Sequence, residues 1–489
     1  MKQNNQDDTR CTTGIAGMDE IINGGLPDFS LYAIQGEPGS GKTTFALQFL
    51  LEGIKRHEDV LYITFSETKK ELDRVARSHN WDIDKINIID LSMLEKLLSP
   101  EEQNSLFHPS DVQLNEVTEM ILKKIDTLKP LRIVFDSISE MRLLAETPLK
   151  YRRTILSLKQ SLAEKETTVL FLDDLSVSGQ DLQIHSIAHG VINLTRLNNE
   201  FGGERRRLRV AKLRGVDFIG GYHDFVIEKG GIAVYPRMTS ANHELKPSSG
   251  VLKSKSKELD SLLGGGLDRG TATLIMGPAG TSKSTIATKY IMSANADGEK
   301  ALYFTFDETI NNLVKRSSSL GMDVEANIRK GLLKIQKVDP AELSPGAFAG
   351  VIRNAIQTEN FKVVVIDSLN GYIQAMPQEQ FLILQLHELL AYLNNQGIVT
   401  ILTLAQSGLI GSMNSPVDLT YLADTVILTR FFEARGAVHK AISVIKKRTG
   451  SHESSIREFS LGPNGLQVGP MLEEFEGVLT GVPKVKDKK

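Results

Sequence analysis

Two rhythms of apolar residues alternate along this chain. Short, almost wholly apolar runs at 31–36, 60–65, 132–136 and 168–173 are separated by longer stretches at 43–56, 68–79, 112–127 and 150–164, where apolar residues return every three or four positions. An unbroken apolar run suits a strand covered on both faces, and the three-to-four recurrence suits an amphipathic helix. With a further strand expected at 86–90, the alternation predicts a mostly parallel sheet flanked by helices. After residue 190 the period falls to two, at 190–197, 206–213 and 224–235, with glycines and charges between the segments. That change predicts an antiparallel extension. The succession then recurs as strands at 271–276, 301–306, 332–338, 362–367 and 399–404, followed by 425–430, 440–447 and 456–468.

The recurrence is an internal duplication. Thr13-Gly-Ile-Ala-Gly-Met-Asp19 leading to Gly24-Gly-Leu26 answers Ser249-Gly-Val-Leu252 and Glu258-Leu-Asp260 leading to Gly265-Gly-Leu267. Asp260 minus Asp19, Lys283 minus Lys42 and Glu308 minus Glu67 are each 241. A period so long means two whole domains rather than a solenoid. The offset falls to 231 by Asp136 and Asp367, which puts an insertion of the first copy in the polar segment 92–110, expected as a surface loop. The expected domains are 1–245 and 246–483, joined through the polar stretch 240–256, with a lysine-rich disordered tail at 484–489.

Each copy carries a glycine-rich loop between a strand and a helix: Gly36-Glu-Pro-Gly39-Ser40-Gly41-Lys42-Thr43-Thr44, and Gly277-Pro-Ala-Gly280-Thr281-Ser282-Lys283-Ser284-Thr285. In such a loop consecutive N–H groups point at an anion and the helix N-terminus adds favourable dipole charge. Lys42 and Lys283 are placed to reach the outer phosphates of ATP, and the Thr43 and Ser284 hydroxyls to ligate Mg²⁺. Ser282 stands where the pattern has glycine, so its Cβ threatens to crowd the phosphate. Asp136 and Asp367 end apolar strands expected beside the loop strands, where each orders Mg²⁺ through its water shell. Phe65-Ser-Glu67-Thr and Phe306-Asp307-Glu308-Thr end the preceding strands with carboxylates suited to orient or deprotonate an attacking oxygen, although a Glu-Thr pair is also an ordinary helix start. Lys212-Leu-Arg214 and Lys446-Lys-Arg448 lie far in sequence from their own loops, a position from which they can act on a neighbouring subunit's γ-phosphate.

Composition narrows the classes. With 41% hydrophobic and 24% charged residues the chain is an ordinary globular one. No apolar run approaches the roughly 18 residues that span a membrane, and the polar start is no secretory signal, so a cytoplasmic location is expected. A lone cysteine, Cys11, excludes an intrachain disulfide and a cysteine-based zinc site. A net charge of −3 does not suit nucleic acid, and a DNA recombinase or helicase is the remote alternative. The run Arg205-Arg-Arg207 beside Arg209 is expected on a solvated face or at a subunit contact.

Taken together, the motifs resemble the KaiC family, the tandem RecA-like ATPases of the cyanobacterial clock and their relatives in other bacteria. The resemblance runs from Thr13 to about Pro483. Besides both loops it rests on Gly24-Gly-Leu-Pro27, Phe65-Ser-Glu-Thr68, Phe306-Asp-Glu-Thr309, Glu204-Arg-Arg-Arg207, Lys212-Leu-Arg-Gly215, Ser248-Ser-Gly-Val251, Asp424-Thr-Val-Ile-Leu428 and Ile456-Arg-Glu-Phe459. It implies a double-ring homohexamer with ATP at every subunit interface, slow hydrolysis in the first ring, and Ser/Thr autokinase and phosphatase activity in the second. The family's adjacent glutamates correspond to Ser66-Glu67 and Asp307-Glu308, and its phosphorylated pair to Thr420-Tyr421, with Ser415 a weaker acceptor. Lys440 and His452 fall at its second-ring nucleotide contacts, and Leu320 replaces an aromatic that stacks on adenine. From the resemblance, with the tail ending soon after Pro483, the peptide that recruits KaiA is expected to be absent, while a KaiB-like or other signalling partner remains compatible. These departures suit a non-cyanobacterial type of homologue, and a nucleotide-gated scaffold with little catalysis is the alternative activity.

Overall fold

The computed structural model describes residues 9–92, 109–145, 147–175, 183–198, 202–238, 249–339, 341–374, 382–408, 418–434, 436–463, 465–480 and 483–485. The chain divides into two compact units, Met1–Arg237 and Met238–Lys489. Each is built on one nine-stranded sheet, mostly parallel, with helices on its faces, so the chain is a tandem of α/β RecA-like domains.

In the first unit the sheet order runs Gly231–Tyr235, His223–Glu228, Arg205–Leu213, Gly190–Leu197, Leu31–Gly36, Thr168–Asp174, Arg132–Asp136, Val60–Thr64, Asn87–Asp90. The second unit repeats this order, with Ala272–Pro278 in the place of Leu31–Gly36 and Val399–Gln406 in that of Thr168–Asp174. Strands Leu31–Gly36, Val60–Thr64 and Val363–Asp367 are buried along their whole length, as the unbroken apolar runs require. The helix Lys42–Lys55 buries Phe45, Leu47, Phe49 and Leu50 on one face of the first sheet, and Pro109–Leu128 and Pro148–Ala163 cover the other. Burying each such aromatic or leucine contributes about 1.5–3 kcal/mol.

Three expectations change. Asp136 and Asp367 do not end strands adjacent to the loop strands: Thr168–Asp174 and Val399–Gln406 are inserted between. The chain leaves each loop strand, runs out to the sheet's edge and works inward, so the last parallel strand made, not the aspartate strand, closes against it. Segments 224–235 and 456–468 are each a two-stranded hairpin, because Gly230 and Gly465 supply positive φ at a tight turn. Lys484–Val485 pairs with Phe475–Glu476, so paired backbone extends two residues into the expected tail. The insertion expected within 92–110 falls mostly outside the described residues; Pro109 already opens a helix.

Candidate nucleotide sites

In the first unit the loop after Leu31–Gly36 closes a cradle in which Gly39 and Gly41 have φ of 78° and 107°. The left-handed φ at Gly41 is what requires glycine there, and a side chain would also have to displace the Ile227 Cδ1 methyl at 2.8 Å. Lys42 is buried, and its ammonium donates to the carbonyls of Gly36 at 2.8 Å and Glu37 at 3.1 Å. It also pairs with Asp174 at 2.6 Å. The Thr43 hydroxyl donates to Asp136 at 3.3 Å, and Tyr62 donates to the same carboxylate oxygen. A hydroxyl beside a carboxylate at the mouth of a glycine cradle fits Mg²⁺ held directly by Thr43 and through water by Asp136; the ion would supply charge neutralisation between phosphates. Burial pushes the Asp136 carboxyl above its usual range, opposed by its bonds to Tyr62 and Thr43.

Glu67 stands at the same mouth. Its backbone is fixed by Thr64, whose hydroxyl donates to the Glu67 carbonyl at 2.6 Å, and its Oε2 is buried with no hydrogen-bond partner. Burial first, then the nearby charges of Asp136 and Glu71, pushes this carboxyl up to about 7. The helix-start reading of this segment holds, since the next residue, Thr68, caps the helix Lys69–Ser78 in a capping box with Glu71.

The second unit keeps the plan with different partners. Lys283 donates to the carbonyls of Gly277 at 2.9 Å and Pro278 at 2.7 Å, and burial lowers its ammonium to about 8. Where Gly36 pairs with Asp174, Gly277 pairs with Ala405, so no carboxylate meets Lys283 at that position. Ser282 adopts the left-handed conformation of the glycine it replaces, φ 72°, and its hydroxyl accepts from Lys440 at 2.9 Å. Thr281 is buried in the loop, and its hydroxyl donates to the Pro278 carbonyl at 2.8 Å. Asp367 takes hydrogen bonds from Tyr303 and Thr403, where Asp136 takes them from Tyr62 and Thr43. Asp307 accepts from Ser368 at 2.6 Å, whereas both oxygens of Glu308 are held by Arg316, at 2.9 and 3.3 Å. Beside the helix Lys283–Ala296 lies a cleft of about 480 Å³ lined by Thr285, Lys289, Leu320, Met322, Pro463 and Leu466. In the first unit the positions of Leu320 and Met322 are His79 and Trp81, whose rings pack 4.6 Å apart.

The basic pairs are arranged alike. Lys212 donates to the carbonyls of His185 and Ala188, and Arg214 to that of Ser186 at 3.3 Å. Lys446 donates to the carbonyls of Thr420 at 2.8 Å and Ala423 at 2.7 Å, and Arg448 to that of Tyr421 at 2.9 Å. Thr420 directs its hydroxyl to Asp418 at 2.6 Å, and Tyr421 is exposed. Ser415 lies outside the described residues. His452 borders the turn at Gly264, away from its own loop, while Lys440 is beside its own loop. The run Arg205–Arg207 is not a solvated face: Arg205 is buried, Arg206 pairs with Glu204, and Arg207 with the buried Asp224 at 3.2 Å.

A family model described as "ATPase: KaiC" matches residues 11–239 and again 252–473. The chain belongs to the KaiC ATPase family. It is 29% identical over 486 residues to the circadian clock oscillator protein KaiC of Synechococcus elongatus, covering 96% of this chain and 91% of that one. The protein of the same name from Thermostichus vulcanus is 28% identical over 495 residues, covering 99% and 93%. Circadian clock protein KaiC3 of Synechocystis sp. is 28% identical over 482 residues, covering 96% and 94%. The tandem KaiC domains are thus ATP-binding modules. Among the described residues no helix is long and apolar enough to cross a membrane.

Some of this KaiC-type site was missed in the sequence. The tyrosines on Asp136 and Asp367 repeat at the constant offset, Tyr62 and Tyr303, and comparison of the two copies would have found them. Asp174 and Arg316 occur in one copy only, so the duplication could not reveal them. Asp173, which holds Gln35 at 2.8 Å and Arg142 at 3.1 Å behind the first loop, was hidden the same way.

Proposed function

We propose that this chain is an ATP-dependent switch that assembles through nucleotide into a homohexameric double ring, hydrolysing ATP in the first unit and transferring phosphate to Thr420 in the second. The observation that carries the reading is the position of the basic pairs. Leu213 pairs with Gly190, which pairs with Tyr32, so Arg214 lies beyond the end of the sheet opposite the cradle at Gly36. Four residues of strand separate them, about 13 Å. Arg448 likewise follows the level of Ala272, while its own cradle begins at Gly277. Neither pair reaches its own γ-phosphate, and each suits that of a second copy. Thr420 shares the far end, so its donor would also be a neighbour's ATP, with Asp307 or Glu308 as base and Mg²⁺ bound through Ser284 and Asp367.

The test is complementation. Arg448→Ala chains and chains carrying Asp307→Asn together with Glu308→Gln, each expected to be inactive in phosphoryl transfer, are mixed with radiolabelled ATP·Mg²⁺, and peptides spanning 410–430 are mapped. Recovery of label on Thr420 in the mixture supports transfer between subunits; no recovery removes it. Label on Ser415 or Tyr421 alone would move the acceptor. The scaffold reading is favoured by one feature, the occupied Glu308, and would be upheld by ATP-dependent assembly without any label.

A further inference from the structure

The two units treat their paired carboxylates in opposite ways. In the second, the Arg316 guanidinium donates Nη2 to Glu308 Oε2 at 2.9 Å, Nε to Oε1 at 3.3 Å, and Nη1 to the Thr285 hydroxyl at 3.0 Å. It thereby ties the carboxylate to the first turn of the helix that follows the cradle. Both partners are largely shielded, each side chain being 27% exposed. In the first unit the 241-residue offset puts Val75 in this position, an apolar residue packed on the core, and Glu67 keeps a buried Oε2 with no partner.

A carboxylate activates water by offering a lone pair to its proton; a guanidinium that bridges both oxygens takes one lone pair on each in a fixed fork, and its positive charge lowers the basicity of the rest. Asp307, by contrast, has one oxygen on the Ser368 hydroxyl, a weak and rotatable donor. We propose that Arg316 is a positioning residue that withholds Glu308 from water in the second unit, so that ATP bound there is spared hydrolysis and Asp307 is the base left for a protein hydroxyl. This rests on the nucleotide reading above. In the transfer it allows, the acceptor hydroxyl gives its proton to Asp307, its oxygen forms a bond to the γ-phosphorus, and the bond from that phosphorus to the β–γ bridging oxygen breaks, releasing ADP. Removal of the clamp opens the competing reaction, in which Glu308 takes a proton from water and the products are ADP and inorganic phosphate.

The experiment uses full-length protein carrying Glu67→Gln, which silences the first unit's base while leaving its cradle. ATP binding at the second loop is read with a fluorescent ATP analogue as the part of the signal lost when Lys283→Ala is added, and inorganic phosphate release in single turnover. Arg316→Ala is expected to raise phosphate release tenfold or more with analogue affinity unchanged within twofold. Adding Glu308→Gln to Arg316→Ala is expected to abolish the gain, which a merely structural role for Arg316 would not produce. Binding without a gain overturns the inference alone; absence of binding overturns the nucleotide reading and the inference together. Val75→Arg in the otherwise unchanged chain guards against an unfolded Arg316→Ala. It is expected to cut first-unit hydrolysis at least tenfold, and unchanged hydrolysis from a folded Val75→Arg overturns the inference.

Discussion

Glu67 and Lys283 are the two residues whose protonation should be visible in solution. A general base must be ionised, and Glu67 is pushed up to about 7, so first-unit hydrolysis should rise with pH through a midpoint near 7. Glu67→Gln should flatten that profile at a low rate; an unshifted midpoint near the ordinary carboxylate range would remove Glu67 as base. Lys283, lowered to about 8 by burial, carries charge below that value and loses it above. Analogue affinity at the second loop should therefore fall between pH 7 and 9, as fluorescence titration of a Lys42→Ala chain would show. Asp174 holds the Lys42 ammonium at 2.6 Å, the group that a bound phosphate would have to share. Asp174→Asn should tighten ATP at the first loop about fivefold, the equivalent of roughly 1 kcal/mol of displaced ion pair. Glycines, lysines and repeated carboxylates were readable because their chemistry dictates residue type. Asp174 and Arg316 were not, since an aspartate ending a strand or an arginine on a helix is ordinary until folding shows what it touches.

At the level of elements, the loop and the helix behind it set the stability of each site. Thr68 caps Lys69–Ser78 with both halves of a capping box in place, so Thr68→Ala should cost about 1 kcal/mol in urea denaturation of the first unit. It should also loosen Glu67, whose backbone is the preceding residue. Gly41→Ala should cost more, because it adds a left-handed strain of about 1–2 kcal/mol to a contact with Ile227 at 2.8 Å. Ser282 already bears that strain in the second loop, φ 72°, and its hydroxyl is braced by Lys440, so the backbone N–H groups keep the cradle's shape. Apolar periodicity located the strands of both nine-stranded sheets and the long helices within four residues, and missed the two-residue strands of the small sheets. It misplaced the aspartate strands because strand order is set by crossovers, about which a local pattern carries no information. The hairpins 223–235 and 457–471 were read as single strands because their turns are too short to interrupt the alternation.

For the whole molecule, the duplication was legible because both copies preserve the same strand–helix spacing; assembly was not, since interfaces need no period. If nucleotide joins the subunits, Lys42→Ala should weaken ATP-dependent assembly more than Lys283→Ala, as size-exclusion chromatography with and without ATP would record. The ammonium groups of Lys212 and Lys446 add a consequence of their own. Each now spends two of its three N–H bonds on carbonyls of the turn it braces, His185 to Ala188 in one unit and Thr420 to Ala423 in the other. An ammonium drawn outward to a neighbour's phosphate slackens its hold on that turn, so grip on one subunit is exchanged for play in the next. Amide deuterium uptake in 185–188 and 420–423 should then quicken when ATP is added, making these turns gauges of the nucleotide next door even in a chain that cleaves none.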